Sequence, residues 1–456
     1  MRQNTVRMRD RWVRRGKPTV GVLASLKAIM TASALNWFLI FVPLSWTAHF
    51  IQIKREEQGE QSVHAQHMMM AIVFASSFLA IMPLVRLFEY VGQQMVYYVG
   101  KHFGRFLVIT LSNAVEVTLG LLLLGQCQLK LLQSTLIGVV VLNLLLIPGT
   151  SFITGGARTD HQELQTHSED MQHTLLTIGV LSLLLPAAFF SSMRTPTHQD
   201  TGDESVPLPV NEQSRQILLH ISHGIAVLLI IVYIGFMYFS RKPPGTREER
   251  RKMQRDEEEK MNGEPEINQY VGVVALTILV VLMAFTAEWL LSTIHFLEEE
   301  GHVNKEFFGI MLLPLISFSA DGFVALINYC RNTFRHLFGR PIPAVKIAEA
   351  QAIDMSIQFL LLWIPFIEVI AWITNRPLLL LFDIFEVSLI VSACFLVNYV
   401  TEDSKTNWAE GLAMVAFYFM IGILAWFYKG QASVENLLFC GSVADAVAGV
   451  GTGAHH

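Results

Sequence analysis

Charged residues are scarce in this chain. Asp, Glu, Lys and Arg make up 16% of its 456 residues, whereas about a quarter of a typical soluble domain is charged. Apolar residues make up 52%, the mean hydropathy is +0.43, and the apolar residues come in long blocks. A spanning helix needs roughly 20 mainly apolar residues, and lipid offers no hydrogen-bond partner to an open backbone. The composition therefore excludes an ordinary soluble domain and predicts a helical protein that crosses the membrane many times.

Cysteine is also sparse, and its spacing excludes two kinds of site. The four cysteines are Cys127, Cys330, Cys394 and Cys440. They are far apart and form no Cys-x-x-Cys pair, so neither a disulfide framework nor a zinc site is predicted. We expect buried, inert thiols.

Other function classes are excluded by what is missing. The net charge of −5 and the isoelectric point near 6.3 indicate no nucleic-acid partner. The chain lacks a nucleophile–base arrangement, a Gly-rich phosphate loop and a His or Cys metal spacing, so it is not predicted to be an enzyme and no cofactor is expected. No secretory signal is evident, because the first apolar block starts near residue 34 and has no cleavage-like end.

About eleven apolar blocks are long enough to span a bilayer. They lie near residues 34–52, 65–87, 95–124, 131–154, 172–192, 217–240, 270–296, 304–329, 344–373, 377–400 and 409–428. The third, eighth and ninth blocks are less uniformly apolar than the others. These three are therefore the blocks in which polar function is expected.

Lys and Arg collect in three places, which are the N-terminal segment and the loops 241–268 and 331–346. With an odd number of spans, all three lie on one side of the membrane, and the positive-inside rule makes that side cytosolic. The N-terminus is then cytosolic and the C-terminus lumenal. The loop 241–268 also contains an acidic run at 256–259, and we interpret it as a solvated linker or, alternatively, a cation-sensing loop.

Ionisable residues inside the apolar blocks are functional candidates, since charge is costly to bury in a membrane. They are Glu89, Glu116, Glu288, Asp321, Glu349, Asp354, Glu368, Asp383, Glu386 and Glu410. Asp383, Glu386 and Glu410 lie near span ends, where headgroups or water are expected to solvate them. Glu89 and Glu288 are interpreted in the same way, as boundary or packing residues.

Glu116 is the strongest candidate because it lies deep in the third span. Asn113 precedes it by three residues, so the two side chains share one face of a helix. A carboxylate beside an amide oxygen suits a hard cation. Asp321 has the matching position in the eighth span. We therefore predict that Glu116 and Asp321 bind the cation, with Asn113 as a further oxygen ligand.

The segments around Glu116 and Asp321 are five spans apart, so they cross the membrane in opposite directions. Each is followed by a span with a polar centre, at Asn143 in one half and at Ser356 and Gln358 in the other. Polar interruptions at corresponding positions of two halves indicate inverted repeats with a binding site at the midplane. The predicted fold is all-α, with one extra N-terminal helix and two inverted five-helix repeats.

Asp354 is a further carboxylate in the second half, one helical turn before Gln358. One interpretation places it in the cation site, where it compensates for a weakened second repeat. The other places it near the cytosolic end, either solvated or paired with Lys346 or another base.

Residues 112–117, which read Ser-Asn-Ala-Val-Glu-Val, give the chain a recognisable motif. They resemble the Gly-Asn-Ala-x-Glu-Leu motif in the first repeat of the cation/proton exchanger family, the vacuolar calcium/proton antiporters of fungi and plants. The match is at Asn113, Ala114 and Glu116, and the resemblance covers roughly residues 35–430. It therefore includes nearly all the spans.

The second motif is eroded. Residues 317–322 read Ser-Phe-Ser-Ala-Asp-Gly, where the family has Gly-Asn-Ala-Ala-Glu-His. Phe318 removes an amide ligand, Asp321 is shorter than Glu, and Gly322 removes a His that could titrate near neutral pH. The second repeat thus resembles that of the family but has fewer side chains that can bind a cation.

The resemblance implies the mechanism of the family. One acidic side chain per repeat holds Ca²⁺, assisted by amide, hydroxyl and backbone oxygens, and the same carboxylates take up protons from an acidic lumen. Competition for one site with alternating access then yields exchange. A less selective or monovalent cation/proton exchanger is one alternative, because fewer oxygen ligands favour less demanding ions. A non-transporting scaffold or regulator is the alternative from another class.

Composition and the resemblance together give the expected organisation and partners. The divisions are a basic cytosolic segment (1–33), an extra first helix (34–52), a first repeat (65–240), a charged cytosolic linker (241–268), a second repeat (270–428) and a disordered tail (429–456). Expected partners are the lipid bilayer, Ca²⁺ or another transported cation, and protons, with a homo-oligomer left open. The expected location is a vacuolar or other acidic endomembrane.

Overall fold

The chain is helical almost throughout the part that the computed structural model describes. Described residues are 20–57, 63–99, 101–156, 162–163, 169–192, 210–239, 265–294, 303–316, 318–320, 322, 349–402 and 405–447. Strand pairing within them is limited to one short antiparallel ladder, in which Gln162 pairs with Thr406 and Glu163 with Lys405. This agrees with the predicted helical membrane fold.

The described residues form seventeen α-helices and two short strands, numbered in chain order. They are α1 (Val22–Thr31), α2 (Phe41–Glu57), α3 (Val63–Val99), α4 (Lys101–Ser112), α5 (Ala114–Gly125), α6 (Leu129–Val141), α7 (Ile147–Gly156), β1 (Gln162–Glu163), α8 (Glu169–Ser192), α9 (Glu212–Phe239), α10 (Gln269–Ser292), α11 (Lys305–Phe307), α12 (Glu349–Gln358), α13 (Ile364–Ile373), α14 (Ile384–Thr401), β2 (Lys405–Thr406), α15 (Trp408–Phe427), α16 (Ala432–Leu438) and α17 (Val443–Val447). A 3₁₀ helix, Ala34–Ile40, precedes α2. Three π-helical turns lie at Leu142–Leu146, Phe308–Leu312 and Phe359–Trp363.

Nine helices among the described residues are long and apolar enough to cross a membrane, or ten if one bent pair forms a single span. The eighth predicted span, 304–329, is described only in part, so the count of eleven stays a prediction. The third predicted span, 95–124, is not one helix. Its first residues belong to α3, and the remainder is the bent pair of α4 and α5.

The described residues fall into two compact units. The first comprises Met1–Leu119, Met237–His302 and Ile316–Arg331, and the second comprises Gly120–Phe236, Val303–Leu315 and Asn332–His456. In the first unit, α3 packs against α2, α4 and α10. Its 37 residues correspond to about 55 Å of helix, which exceeds the thickness of a hydrocarbon core.

The second unit is built around α6, which is buried along its whole length. It packs against the π turn at Phe308–Leu312 and against α14. Two glycines lie at the first of these contacts. A Cβ atom on Gly138 would lie 2.7 Å from the Cα of Ile310, and one on Gly309 would lie 2.6 Å from the Cβ of Ser134. Small residues let two helix backbones approach closely where lipid supplies no hydrophobic driving force.

Replacing Gly138 by Val is expected to prevent this contact from forming. The added side chain would overlap backbone atoms, which cannot rotate away, so we expect at least about 1–3 kcal/mol of destabilisation. The measurement is the thermal unfolding of the purified protein in detergent. Gly224→Val is the matched control, because a Cβ there meets no atom within 4 Å. Equal loss of stability in both variants would contradict this explanation of Gly138.

The prediction of a disordered tail at 429–456 was wrong for residues 429–447. Helices α16 and α17 lie there, and Leu437 and Leu438 are buried. The guanidinium of Arg215 donates to the carbonyl oxygens of Phe439 and Gly441, at 3.0 and 2.9 Å. Composition suggested disorder because it does not show that the apolar residues of α16 have a surface to pack on. Residues 448–456 lie outside the described residues.

The expectation of unpaired thiols was wrong as well. Cys127 and Cys440 form a disulfide with their Cα atoms 6.4 Å apart, across 313 residues of sequence. Arg376 donates to the carbonyl oxygen of Gly125 at 3.3 Å and lies 3.7 Å from the Sγ atom of Cys440. The disulfide therefore joins the tail to the loop between α5 and α6. Cys394 is free and buried, as expected.

The two segments predicted to be cytosolic, 1–33 and 241–268, each contain residues that the structure describes in the first unit. Helix α1 lies within the N-terminal segment 1–33. At the end of the linker 241–268, the hydroxyl of Tyr98 donates to the carbonyl oxygen of Ile267 at 2.6 Å, and Asn268 caps α10 through Tyr270 N–H. Residues 241–264 lie outside the described residues, so the cation-sensing interpretation of that loop stays a prediction.

Candidate functional site

The third predicted span breaks at Asn113, where the sequence predicted a continuous helix. The segments Phe106–Ser112 and Ala114–Gly125 differ in direction by 55°. Asn113 is buried, and both its backbone N–H and its side-chain amide donate to the carbonyl oxygen of Ile109 at 3.2 Å. Broken helices with exposed backbone groups at mid-membrane are typical of transporter binding sites.

Glu116 lies in the first turn of α5, immediately after this break, and is 8% exposed. The N-terminal end of a helix carries partial positive charge, which favours a carboxylate. Asn113 and Glu116 were predicted to share one face of a helix. In the structure, Asn113 lies at a helix break and Glu116 lies just after it. A carboxylate can bind either a cation or a proton.

Asp321 lies outside the described residues, so its predicted pairing with Glu116 stays a prediction. The residues beside it are described. Ala320 is fully buried, and Phe318 and Gly322 are partly buried. Among the described ligand candidates, the first unit contains Asn113 and Glu116, and the second contains Asn143, Asp354, Ser356 and Gln358.

The polar centres of the fourth and ninth predicted spans share a local feature. Asn143 is buried within the π turn Leu142–Leu146, and Gln358 is buried immediately before the π turn Phe359–Trp363. Helix α12 packs against the first of these turns. A π turn widens the helix by one residue and is frequent at functional sites. Its occurrence at both predicted polar positions supports their equivalence in the two halves.

The side chains of Gln358 and Ser356 both form hydrogen bonds within the second unit. The amide nitrogen of Gln358 donates to the hydroxyl of Tyr233 at 3.2 Å, and its amide oxygen accepts from the indole N–H of Trp363 at 3.3 Å. The hydroxyl of Ser356 donates to the carbonyl oxygen of Ala352 at 3.0 Å. The Ser356 hydroxyl keeps its acceptor lone pairs while it donates, so its oxygen can still coordinate a cation.

Asp354 is half-buried and accepts a hydrogen bond from the side-chain amide of Gln172 at 2.6 Å. Lys346, its proposed alternative partner, lies outside the described residues. A neutral amide donor orients the carboxylate without cancelling its charge. The hypothesis that Asp354 belongs to the cation site is therefore still open.

Sequence reasoning missed a buried cluster of four charged groups, here called the Lys130 cluster. Its members are Lys130, Glu306, Asp383 and Glu386, and each is at most 8% exposed. The Nζ atom of Lys130 lies 2.9 Å from Oδ2 of Asp383, 3.0 Å from Oε1 of Glu386 and 3.5 Å from Oε1 of Glu306. Carboxylate oxygens of the three acids lie within 4.8 Å of one another. The ammonium group thus lies among three carboxylates.

The prediction that solvent surrounds Asp383 and Glu386 was wrong, because both are fully buried. The helix of the tenth predicted span, 377–400, begins later than expected, because Asp383 is its N-cap. Glu386 accepts from the backbone N–H of Asp383 at 3.1 Å, and α14 starts at Ile384. One sequence signal was available. Lys130, Glu306 and Asp383 all lie at span ends that the predicted topology places on the same side.

Glu368 is a further buried acid, which the sequence identifies as a candidate without a role. It is fully buried, and the Nε2 atom of His223 lies 3.6 Å from its Oε1 atom. Neither carboxyl oxygen has a hydrogen-bond partner among the described residues. His223 in turn stacks on Trp372 with ring centroids 4.3 Å apart. This pair shares no residue with the Lys130 cluster.

Comparison with known proteins gives consistent findings. The family model described as sodium/calcium exchanger protein matches residues 69–242 and 271–427. A vacuolar calcium ion transporter of Schizosaccharomyces pombe is 29% identical, covering 90% of this chain and 89% of that protein. A vacuolar calcium ion transporter of Cryptococcus neoformans is 26% identical, covering 91% and 77%. The solved structure of native YfkE superposes with a TM-score of 0.60 at 21% identity, covering 86% of this chain and 99% of that one.

Proposed function

The chain belongs to the sodium/calcium exchanger protein family, and we propose that it is a secondary active antiporter that exchanges Ca²⁺ for protons across an organelle membrane. The observation that carries this proposal is Glu116, a buried carboxylate in the first turn after a broken mid-span helix. The names of the two fungal relatives support calcium as the ion. No enzymatic step is involved.

The proposed mechanism is competition for a shared set of oxygen atoms. Glu116 and Asp321 carry two negative charges, which neutralise one divalent cation or bind protons, but not both well. Asn113 supplies a neutral oxygen, which suits a hard cation that prefers oxygen ligands, and Asn143, Ser356 and Gln358 stay predicted oxygen ligands. Because the empty, unprotonated site would bury uncompensated charge, its return without a proton or a cation is disfavoured. Obligatory exchange follows from that penalty.

We propose an acidic endomembrane such as the vacuole as the location, with the C-terminus on the lumenal side. The basic segments are on the opposite side by the positive-inside rule. The disulfide between Cys127 and Cys440 supports this orientation, since disulfides are rare where cytosolic thiols keep cysteines reduced. Both cysteines lie at helix ends that the topology places in the lumen.

The test is proton-driven uptake of radioactive calcium into acid-loaded vesicles that contain the purified protein. We expect uptake that depends on the pH gradient and is abolished when a protonophore dissipates it. Na⁺, K⁺ and Mn²⁺ are added as competitors. Strong inhibition by Na⁺ or K⁺ would favour the less selective exchanger that the eroded second motif suggests. Absence of proton-driven uptake of every cation would favour a non-transporting scaffold.

Replacing Asp354 by Asn is expected to lower uptake by about tenfold, the effect of about 1.4 kcal/mol of lost cation attraction. Asn keeps an oxygen that can accept from Gln172, so the variant removes charge and preserves the hydrogen bond. Gln172→Leu is the control, since it removes the bond and leaves the charge. Wild-type uptake in Asp354→Asn would remove Asp354 from the cation site.

A further inference from the structure

The Lys130 cluster contains more negative charge than its one ammonium group can neutralise. Three carboxylates surround Lys130, and all are buried. If every acid were ionised, two negative charges would be left in excess. Buried charges of like sign are strongly unfavourable unless one group binds a proton. The contacts of each acid indicate which one does.

Asp383 receives three hydrogen-bond donors on one oxygen. Its Oδ2 atom accepts from Lys130 at 2.9 Å, from the hydroxyl of Tyr428 at 3.1 Å and from the backbone N–H of Gln431 at 3.0 Å. Burial, and then the negative charge of Asp383, raise the pKa of Tyr428, so that hydroxyl stays neutral and donates. These contacts of Asp383 therefore call for no added hydrogen.

Glu386 also receives hydrogen-bond donors. Its Oε1 atom accepts from Lys130 at 3.0 Å, and its Oε2 atom accepts from the backbone N–H of Asp383 at 3.1 Å. The hydroxyl of Ser134 lies 2.7 Å from Oε1. Glu386 therefore receives donors on both oxygens, and its contacts also call for no added hydrogen.

The hydroxyl of Ser134 has more acceptors around it than it has hydrogens. It lies within hydrogen-bond distance of Oε1 of Glu386, Oε2 of Glu306 and the carbonyl oxygen of Lys130. A serine hydroxyl donates one hydrogen and accepts through two lone pairs. If it donates to Glu386, its contact with Glu306 requires a hydrogen on the carboxyl of Glu306. Glu306 is also the acid farthest from the ammonium, at 3.5 Å.

We propose that the carboxyl group of Glu306 is protonated and donates a hydrogen bond to the hydroxyl of Ser134. The Lys130 cluster is then a second proton-binding site, separate from the transport carboxylates. Its lumenal placement rests on the topology of the proposed function. The proton lets α6, α11, α14 and the segment after α15 meet at one point. Gly430, at φ +78°, brings that segment over the cluster, where a Cβ would lie 2.5 Å from Oε1 of Glu306.

Loss of this proton has a defined consequence. Ionised Glu306 would face the charges of Glu386 and Asp383 with only Lys130 to offset them, and the helix ends would separate. Exchange consumes lumenal protons, so the site would lose its proton as the lumen approaches neutrality. The cluster would then couple the packing of the lumenal helix ends to the presence of the proton gradient. Among the described residues, the charged groups around Glu306 are Lys130, Asp383 and Glu386, and the hydroxyl of Tyr428 contacts Asp383.

Infrared difference spectroscopy of the full-length protein across a pH series tests this assignment. We expect a protonated-carboxyl stretching band that disappears as the pH rises, that is absent in Glu306→Gln, and that is shifted in Ser134→Ala. Exposed Glu435, replaced by Gln, is the control and should keep the band. Each variant is compared with wild type, so that bands from other buried carboxyl groups cancel.

Two variants separate this proposal from the proposed function. Glu116→Gln should keep the pH-sensitive band, whether or not it transports. An unchanged band in Glu306→Gln, or its loss in Glu116→Gln, would overturn the assignment. Gln can donate to Ser134 as a protonated Glu does, so we expect Glu306→Gln to fold.

Thermal unfolding over the same pH range gives the second readout. A proton held more tightly in the folded state than in the unfolded state makes stability fall as the pH rises through its release. We expect this fall in wild type and its loss in Glu306→Gln. The same pH dependence in both proteins would show that Glu306 is ionised throughout.

Discussion

Replacing Glu116 by Gln is expected to reduce proton-driven calcium uptake to the level of vesicles without protein. The amide has the shape of the carboxylate but neither its charge nor its proton. Glu116 is 8% exposed at a helix break, where a cation left without its counter-charge costs about 3 kcal/mol or more. That cost corresponds to a factor of about 100 or more in binding. The measurement is the initial rate of uptake at matched protein content.

Glu288→Gln is the matched control for this variant. Glu288 also lies within a spanning helix of the first unit, but it is exposed on the surface of α10. It should transport at the wild-type rate. Substantial uptake by Glu116→Gln would remove the residue from the ion path. An intact cellular phenotype in that variant would favour the scaffold interpretation.

Replacing Lys130 by Met is expected to destabilise the protein by about 3–5 kcal/mol near neutral pH, because the buried carboxylates of Asp383 and Glu386 lose the ammonium group that contacts both of them. The sign of the pH effect follows from linkage. The folded variant must bind more protons than the unfolded chain, so its stability should increase as the pH falls. Thermal unfolding in detergent at several pH values measures both effects.

The rescue of this variant is a sharper test than its loss of stability. Adding Glu306→Gln and Glu386→Gln to Lys130→Met leaves Asp383 as the one carboxylate of the cluster without a counter-charge and should restore most of the stability. Lys429→Met is the control, because Lys429 is exposed near the same end of the helices. A stability of Lys130→Met that does not depend on pH would show that the carboxylates are not in electrostatic contact with Lys130.

Much of the helical architecture could be predicted because the bilayer imposes a length and an apolar composition on each span. The predicted fifth span, 172–192, has the bounds of the apolar helix in the structure, Gln172–Ser192. Glu116 could be found for a related reason, since a carboxylate in an apolar block stands out from its neighbours. Both inferences use only residues that are close together in the chain.

The break at Asn113 and the pairing of charges could not be predicted in this way. A span that is broken has the same composition as one that is continuous. Lys130 and Glu386 are 256 residues apart, and Cys127 and Cys440 are 313 residues apart. Asp383 and Glu386 looked like isolated residues near span ends, where solvation is the normal expectation, and the cysteines looked like separate thiols. Their partners become evident only when the helix ends come together.

The sequence by itself determined that this chain forms apolar spanning helices with acids inside them, because hydrophobic length and the cost of buried charge are local properties. Only the tertiary structure decided which acids share a proton or an ammonium group, where a span breaks, and which tail residues are held in place. Those outcomes depend on distances of about 3 Å between groups that are distant in the chain, and hydrogen bonds and ion pairs weaken steeply beyond such distances.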